Sequence, residues 1–385
     1  MKKHDAETGR SGRSNSQAMP APPVNLAHRQ PHHAAFGRLV MYTVVALAGL
    51  ATGLLLYVFL LLGQPQRTNI EVVDPDQMKL VPLDELTLPE GADILPWQEG
   101  GHTPVVVHPD IPIRRVERID RDVENILVFG IDARGAEETV ARADSLIILT
   151  VNRSLGQIEL TSVMRDTQVD IAGRSRPDRI NAAYAYGGVG LLINTLNETL
   201  QLDIQRFVMF DFWSAADLID SIGGVTISVS AEEIPFLNRN LSEMNRLLSP
   251  ISRSPEVSDA GEQRLNGHQA IAWARIRKLD SDAVRTSRQR QVMMSMIREL
   301  SDRNSSGLLS LLNNGMSSFE TNLSRYDMAR TGLATLPLAD QISDYRIPQE
   351  GLYTVQPDPW MMQVDWDQQR PLLHAFIYGE ADGED

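Results

Sequence analysis

The sequence predicts an α/β protein, a three-layer α-β-α sandwich around a central mixed β-sheet, preceded by a single transmembrane helix. Three observations predict it. Between residues 125 and 300, short apolar runs of strand length alternate with helix-length segments. One run near the N-terminus, Leu39–Leu62, carries no charge. The hydrophobic fraction, 42% of 385 residues, suits a packed core rather than a disordered polymer.

Residues 1–38 are rich in Ser, Ala, Pro, His and Arg without hydrophobic periodicity, and read as a disordered cytoplasmic tail. Leu39–Leu62 is long enough to cross a hydrocarbon core of about 30 Å at about 1.5 Å per residue. It exceeds the apolar stretch of a cleaved signal peptide and no small-x-small site closes it, so it reads as an uncleaved anchor. Lys2, Lys3, Arg10, Arg13, Arg29 and Arg38 against Asp5 and Glu7 place the N-terminus in the cytoplasm. The expected localisation is therefore the cell membrane, single-pass, with everything after Gly63 outside. From 63 to 122 prolines recur (Pro65, Pro75, Pro82, Pro89, Pro96, Pro104, Pro109, Pro112), which favours an extended stalk in which a short strand such as Val105–Val107 docks on the domain edge.

The compact domain is expected over 123–379. Ile126–Phe129, ended by Gly130, fits a buried strand. Ser145–Val151 and Gln157–Val163 are β-rich and joined by a hairpin-like Asn152–Gly156. Asn181–Tyr186 and Gly190–Leu200 read as helical, Arg206–Asp211 as a strand, Phe212–Ile222 as a helix stopped by Gly223 and Gly224, and Val225–Val229 as a strand. Residues 231–263 loosen into a polar stretch with Pro and Ser, the mark of a lid or variable insertion. Gly267–Ile276 and Thr286–Leu300 then read as helices, the second with Val292, Met293, Met296 and Ile297 on one face. A strand over Leu352–Val355 and an amphipathic helix over Gln368–Ile377 close the domain, before an acidic tail, 380–385.

A net charge of −14 argues against a general nucleic-acid binder, which needs a basic surface to displace phosphate counterions. The absence of cysteine excludes a thiol nucleophile, a disulfide framework and cysteine-ligated zinc. Walker A, G-x-S-x-G, H-E-x-x-H and post-strand G-x-G-x-x-G signatures are all missing. What remains is a set of arginine–aspartate pairs at element ends. Asp132 and Arg134 follow the first strand, and Arg142 and Asp144 precede the second. Arg165 and Asp166 follow the third; Arg275 and Arg277 end a helix; Asp280, Asp282, Arg285, Arg288 and Gln289 open the next. Any one such pair reads most simply as an architectural salt bridge. Together, in an acidic chain, they supply the ingredients for a pyrophosphate held by bidentate guanidinium contacts and a carboxylate-bound divalent cation. His268 has no partner at metal-ligand spacing and reads as structural, and Tyr184 and Tyr186 read as packing.

The segments ILVFGIDARG, RADSLIILTVN, SVMRDTQVDI, RINAAYAYGG, DLIDSIGGVTISV, LNGHQAIAWARIR and RTSRQRQV resemble, in order, those of the LytR-CpsA-Psr family of cell-wall glycopolymer ligases. The resemblance implies a phosphotransferase that moves a teichoic acid or capsular polysaccharide from a polyprenyl-pyrophosphate carrier to peptidoglycan, with no nucleic-acid partner. It implies that Asp132 and Asp144 hold Mg²⁺, and that Arg134, Arg142, Arg165, Arg275, Arg277, Arg285 and Gln289 surround the pyrophosphate. It also implies an apolar pocket for the polyprenyl tail between sheet and helices. Asp132, Asp144 and Asp166 are all candidates for the base, with Arg165 among the catalytic groups. Two residues depart from the family pattern. Val284 stands where Gly is usual before Arg285, and would be strained at positive φ; Arg179 replaces the commoner Lys. A hydrolytic lipid-pyrophosphate pyrophosphatase and a non-catalytic envelope sensor or transcriptional attenuator are the competing readings.

Overall fold

A near-continuous apolar run, Val123–Ile131, forms the strand around which the sheet is built, buried along most of its length because helices cover both of its faces. The structure is a computed structural model and describes residues 66–68, 70–78, 83, 111–131, 142–277, 279, 281–302 and 319–379. In chain order the elements begin with β1 (Gln66–Arg67), β2 (Val72–Val73), β3 (Ile113–Arg114), β4 (Val123–Ile131), β5 (Ala143–Asn152), β6 (Gln157–Val163), β7 (Gln168–Val169) and β8 (Asp178–Arg179). Next come α1 (Ala182–Leu200), β9 (Arg206–Phe210), α2 (Phe212–Ser221), β10 (Val225–Val229), α3 (Ile234–Asn245), β11 (Gly261–Leu265) and α4 (Gly267–Ala274). The chain closes with α5 (Asp282–Ser301), β12 (Glu320–Thr321), α6 (Arg325–Thr335), β13 (Ile342–Ile347), β14 (Tyr353–Pro357), β15 (Trp360–Val364) and α7 (Trp366–Tyr378).

The central sheet has seven strands in the order β1-β12-β9-β4-β5-β6-β13. β4, β5 and β6 form an antiparallel meander. β9 runs parallel to β4, reached by the crossover helix α1, and β13 runs parallel to β6, so the sheet is mixed as expected. Side chains alternate between faces. On one face Leu127, Phe129, Ile148 and Val163 pack with Leu192 and Leu196 of α1 and with Leu373 and Ile377 of α7. On the other, Ile147, Ile158 and Leu160 pack with Met293 and Ile297 of α5. A second core joins α2, α3, α4 and the β10–β11 pair, and takes Val292 and Met296 of α5. The apolar residues of α5 expected on one face therefore divide between two cores, because this helix lies between them.

Helix α1 is interrupted at Gly187 and Gly188, where φ is −158° and +66°. A Cβ on nearby Gly190 would overlap the carbonyl oxygen of Ile111, so only glycine lets the 111–114 segment cross the helix. This segment corrects the reading of 63–122 as a stalk. Its described residues pack onto the domain: β1 is a sheet strand, Ile113 is fully buried, and Leu83 belongs to the main core. The 231–263 excursion is likewise more ordered than a loop. Its helix α3 buries Leu237, Leu241 and Met244, spaced four and three residues apart along one face. β1, β2, β3, β7, β8, β11, β12, β13, β15 and α6 were not expected. The tail 1–38, the apolar run 39–62, the strand at Val105–Val107 and the acidic 380–385 lie outside the described residues. Among the described residues no helix is long and apolar enough to cross a membrane.

Glu159 of β6 shares the α1 face with Val163, is 1% exposed, and neither of its carboxylate oxygens has a hydrogen-bond partner. Burial pushes its carboxyl up from 4.5 to about 8. Between those values the folded chain binds a proton that the unfolded chain has released, so stability is lost as pH rises through this window. Denaturant unfolding at pH 5 and pH 8 should show the native protein losing up to about 1.4 kcal/mol per pH unit from this group. Glu159→Gln, which cannot ionise, should lose measurably less.

Candidate functional site

One edge of the sheet gathers the ends of four strands. Gly130 of β4 is opposite Ser145 of β5 and Phe210 of β9, and Leu146 of β5 is opposite Val163 of β6. The turn after β6 presents Arg165 and Asp166. It is held by Thr167, whose amide and hydroxyl both donate to the Met164 carbonyl, and by Met362, whose amide donates to the Asp166 carbonyl. Helix α4 reaches the same edge. Its N-terminus carries a capping box between Asn266 and Gln269, and a Cβ on Gly267 would overlap the Ala216 carbonyl, so glycine lets α4 lie directly on α2.

Arg165 is the hub. Its Nη1 lies 2.9 Å from Asp144 Oδ1, and its Nε lies 3.4 Å from Asp166 Oδ2 and 3.6 Å from Asp282 Oδ2. The other oxygen of Asp144 accepts from Arg277 Nη2 at 2.9 Å. Arg179 Nη1 lies 3.5 Å from Asp166 Oδ1, and Arg285 Nη2 lies 2.8 Å from Asp282 Oδ1. Among the described residues, four guanidinium groups thus surround three carboxylates. Arg285 is only 3% exposed, and its Nε and Nη1, together with Arg165 Nε, have no hydrogen-bond partner. Buried donors of this kind are costly unless something accepts from them.

The charges respond to this crowding. Burial alone would raise the Asp144 carboxyl, but Arg165, Arg277 and Arg285 outweigh it and hold the group below the usual carboxylate range. Burial works against the charge of Arg165 too, and the three aspartates reverse that and raise it. Arg285 is pulled down to about 10, first by burial and then by repulsion from Arg165, partly offset by Asp282. All three groups remain charged at neutral pH.

Tyr186, Asp178 and Arg174 form a polar group next in sequence to Arg179. The Tyr186 hydroxyl donates to Asp178 Oδ2 at 2.8 Å, and the Arg174 guanidinium lies 4.1 Å from the Tyr186 ring centre. Burial, reinforced by Asp178, pushes the Tyr186 phenol up to about 12, with Arg174 and Arg142 opposing the rise. Tyr186 therefore does more than pack, and Arg142, exposed two residues before Asp144, lies within electrostatic reach of it. Arg275 lies 4.2 Å over the Phe212 ring and, with Arg277, lines a cavity of about 230 Å³. Gln289 is half-buried one turn beyond Arg285 on α5, and so on the same helix face.

Arg288 has a different task. It is 3% exposed and bonds Glu233 at 2.7 Å, fastening α5 to the start of α3. Val284 is exposed in the first turn of α5, and Gln201 is the one non-glycine residue with positive φ among the described residues, so the expected strain at 284 is absent. His268 is structural as expected, set edge-on to Trp213. Asp132, Arg134 and Asp280 lie outside the described residues. Among the described residues no three carboxylate or histidine side chains gather closely enough to hold a metal. Asp144 is chemically suited to a hard divalent cation, being an ionised oxygen donor, but it needs further ligands.

The model of the LytR_cpsA_psr family matches residues 106–370, which include every site residue above. The chain belongs to this family. Among its relatives, the polyisoprenyl-teichoic acid–peptidoglycan teichoic acid transferase TagU of Bacillus licheniformis is 30% identical over 208 residues, 52% of this chain and 61% of that protein. TagU of Halalkalibacterium halodurans is 35% identical over 183 residues, 46% and 54% of the two chains. The match thus spans less than two thirds of the length of these relatives. A solved structure of TagT bound to LI-WTA shares the fold, with a TM-score of 0.55 at 24% identity, covering 68% of this chain and 93% of that one. Within this LytR_cpsA_psr fold, Asp282, named in the sequence only among the charged clusters, and Arg179, noted only as a departure from the family pattern, join the site although neither had been given a role in it. The signal for Asp282 was its position three residues before Arg285, which on a helix makes the two neighbours.

Asp282→Asn should destabilise the domain by about 2 kcal/mol, less than the ~3–5 kcal/mol of a fully buried pair because Asp282 is partly exposed. Removing the stranded charge as well, in Asp282→Asn with Arg285→Met, should recover part of that loss. Denaturant midpoints of the two single variants and the double variant measure the coupling.

Proposed function

We propose that the protein is a membrane-anchored phosphotransferase that attaches an anionic glycopolymer, of teichoic acid or capsular polysaccharide type, to peptidoglycan. The donor is a polyprenyl-pyrophosphate-linked polymer and the product bond a phosphodiester. The observation that carries this reading is the buried Arg285, two of whose nitrogens have no partner among the described residues, beside Arg165 in a cluster where the described guanidinium groups outnumber the described carboxylates. Such a surplus in a chain of net charge −14 fits a multiply charged phosphate ligand. Relatives named as polyisoprenyl-teichoic acid–peptidoglycan teichoic acid transferases support the same chemistry.

In the proposed reaction a peptidoglycan hydroxyl attacks the polymer-side phosphorus, the bond from that phosphorus to the bridging oxygen breaks, and polyprenyl phosphate leaves. Arg165, Arg277 and Arg285 hold the phosphate oxygens, and neutralise the charge that collects on the bridging oxygen as the bond breaks. Asp144, held ionised by three arginines, is a poor proton acceptor and a good partner for positive charge. This leaves the hydroxyl proton to Asp132 or Asp166 and gives Asp144, with Asp132, the role of holding Mg²⁺. When bound, Mg²⁺ supplies further neutralisation of the pyrophosphate oxygens. The run Leu39–Leu62 anchors the chain as a single pass, with its N-terminus in the cytoplasm and the domain on the outer face, where peptidoglycan lies.

The full chain in liposomes, given Mg²⁺ and a polyprenyl-pyrophosphate glycan with and without peptidoglycan fragments, tests this by mass spectrometry. Phosphodiester-linked glycan should appear only with acceptor, and Arg165→Ala or Asp144→Ala should lower its rate by about 100-fold or more while the domain stays folded. Release of monophosphates alone would indicate a pyrophosphatase. Full activity in both variants would remove the proposed site.

A further inference from the structure

We infer that residues 246–253 form a docking tip that sets Leu247 and Ile251 among the headgroups of an anionic lipid bilayer and so holds the arginine–aspartate edge against the membrane. This rests on the membrane localisation proposed above. The tip is built rather than loose. Asn245, at the end of α3, donates through Nδ2 to the Ser254 carbonyl at 2.9 Å, accepts from the Ser254 amide at 3.0 Å, and receives Arg253 Nε on its own carbonyl at 3.0 Å. These bonds close the base of the loop, and Pro250–Ser252 forms a tight helical turn at its apex. There Ile251 is 98% exposed and Leu247 69%. Arg246 and Arg253, both exposed, flank them, and the tip contains no acidic residue although the chain as a whole carries a net charge of −14. Aliphatic groups at an apex with arginines on its shoulders match a bilayer interface, where the aliphatic groups sink and the guanidinium groups reach phosphate.

The position of the tip fits the same partner. Arg246 and Leu247 line a cavity of about 240 Å³ together with Phe212, Trp213, Met244, Arg275 and Glu243, whose carboxylate lies 3.9 Å from Arg239. Phe212 opens α2 two residues after β9 ends at the site edge. The chain also enters the sheet at this edge. Gln66 of β1 pairs with Glu320, which pairs with Met209 near the C-terminal end of β9, and β12 runs antiparallel to β9, so β1 begins at the edge where β9 finishes. The tip thus adjoins Phe212 and Arg275, two residues from the Arg277 that bonds Asp144. A protein partner fits less well, because a few aliphatic side chains fall far short of the roughly 800 Å² per partner that a stable interface buries.

The chain has no cysteine, so Ile251→Cys offers a unique attachment point for a fluorophore. Leu155→Cys, 46% exposed in the β5–β6 turn at the opposite sheet edge, is the control. The labelled full chain is placed in phosphatidylcholine–phosphatidylglycerol vesicles containing headgroup-spin-labelled lipid. Quenching should be at least about threefold stronger at 251 than at 155, and should weaken in Arg246→Glu with Arg253→Glu. Equal quenching at the two positions, in a chain that floats with the vesicles, overturns the tip while leaving the anchor in place. A chain that does not float overturns both.

Discussion

Asp144 gives one carboxylate oxygen to Arg165 and the other to Arg277, and the site depends on that bridge. It joins a sheet strand to the turn after β6 and to the end of α4, elements that belong to two different hydrophobic cores. Arg165 extends the connection through Asp282 to α5, the helix that contributes to both. Packing sets the distance between the cores to within side-chain contact; the ion pairs set which atoms face one another. Because each partner is partly buried, neither can leave without stranding a charge.

The same bridge determines what the edge can bind. Asp144 is drawn upon from both sides, Asp166 is shared between Arg165 and Arg179, and Arg285 pairs, among the described residues, with Asp282 alone. The carboxylates are thus already engaged, while Arg285 keeps buried nitrogens unpaired. Burial first, and repulsion from Arg165 second, draw the Arg285 guanidinium down to about 10, yet leave it charged at neutral pH. An added anion relieves repulsion among the arginines as well as satisfying their donors, which is why a phosphate-bearing ligand suits the place better than another side chain would.

The meander β4–β5–β6, helix α2 and strand β10 were legible because their apolar runs are bounded by Gly or Asn turns, and the structure places them within a few residues of the expected ends. α3 was missed although Leu237, Leu241 and Met244 carry its period; the surrounding Asn, Arg and Ser made the stretch look like a loop. β13 was missed because Asp344 and Arg346 interrupt its apolar positions, as an edge strand allows. At the site, Arg–Asp pairs at strand and helix ends put Asp144, Arg165, Asp166, Arg277 and Arg285 in one group of candidates. Arg275 and Arg277 part company because the helix stops at Ala274, before either of them: Arg277 turns to Asp144 and Arg275 to Phe212. No local pattern could distinguish Arg288, which braces Glu233, from Arg285 three residues earlier, since that difference comes from which core each helix face meets.

The central claim is that unpaired guanidinium donors, rather than the carboxylates around them, make this edge an anion site. Calorimetric titration of the full chain with inorganic pyrophosphate, comparing the native protein with Arg285→Met, addresses it most directly. The account predicts that the variant binds at least about tenfold more weakly, the loss of one charge-assisted hydrogen bond, while remaining folded. Unchanged affinity in a folded Arg285→Met would contradict it.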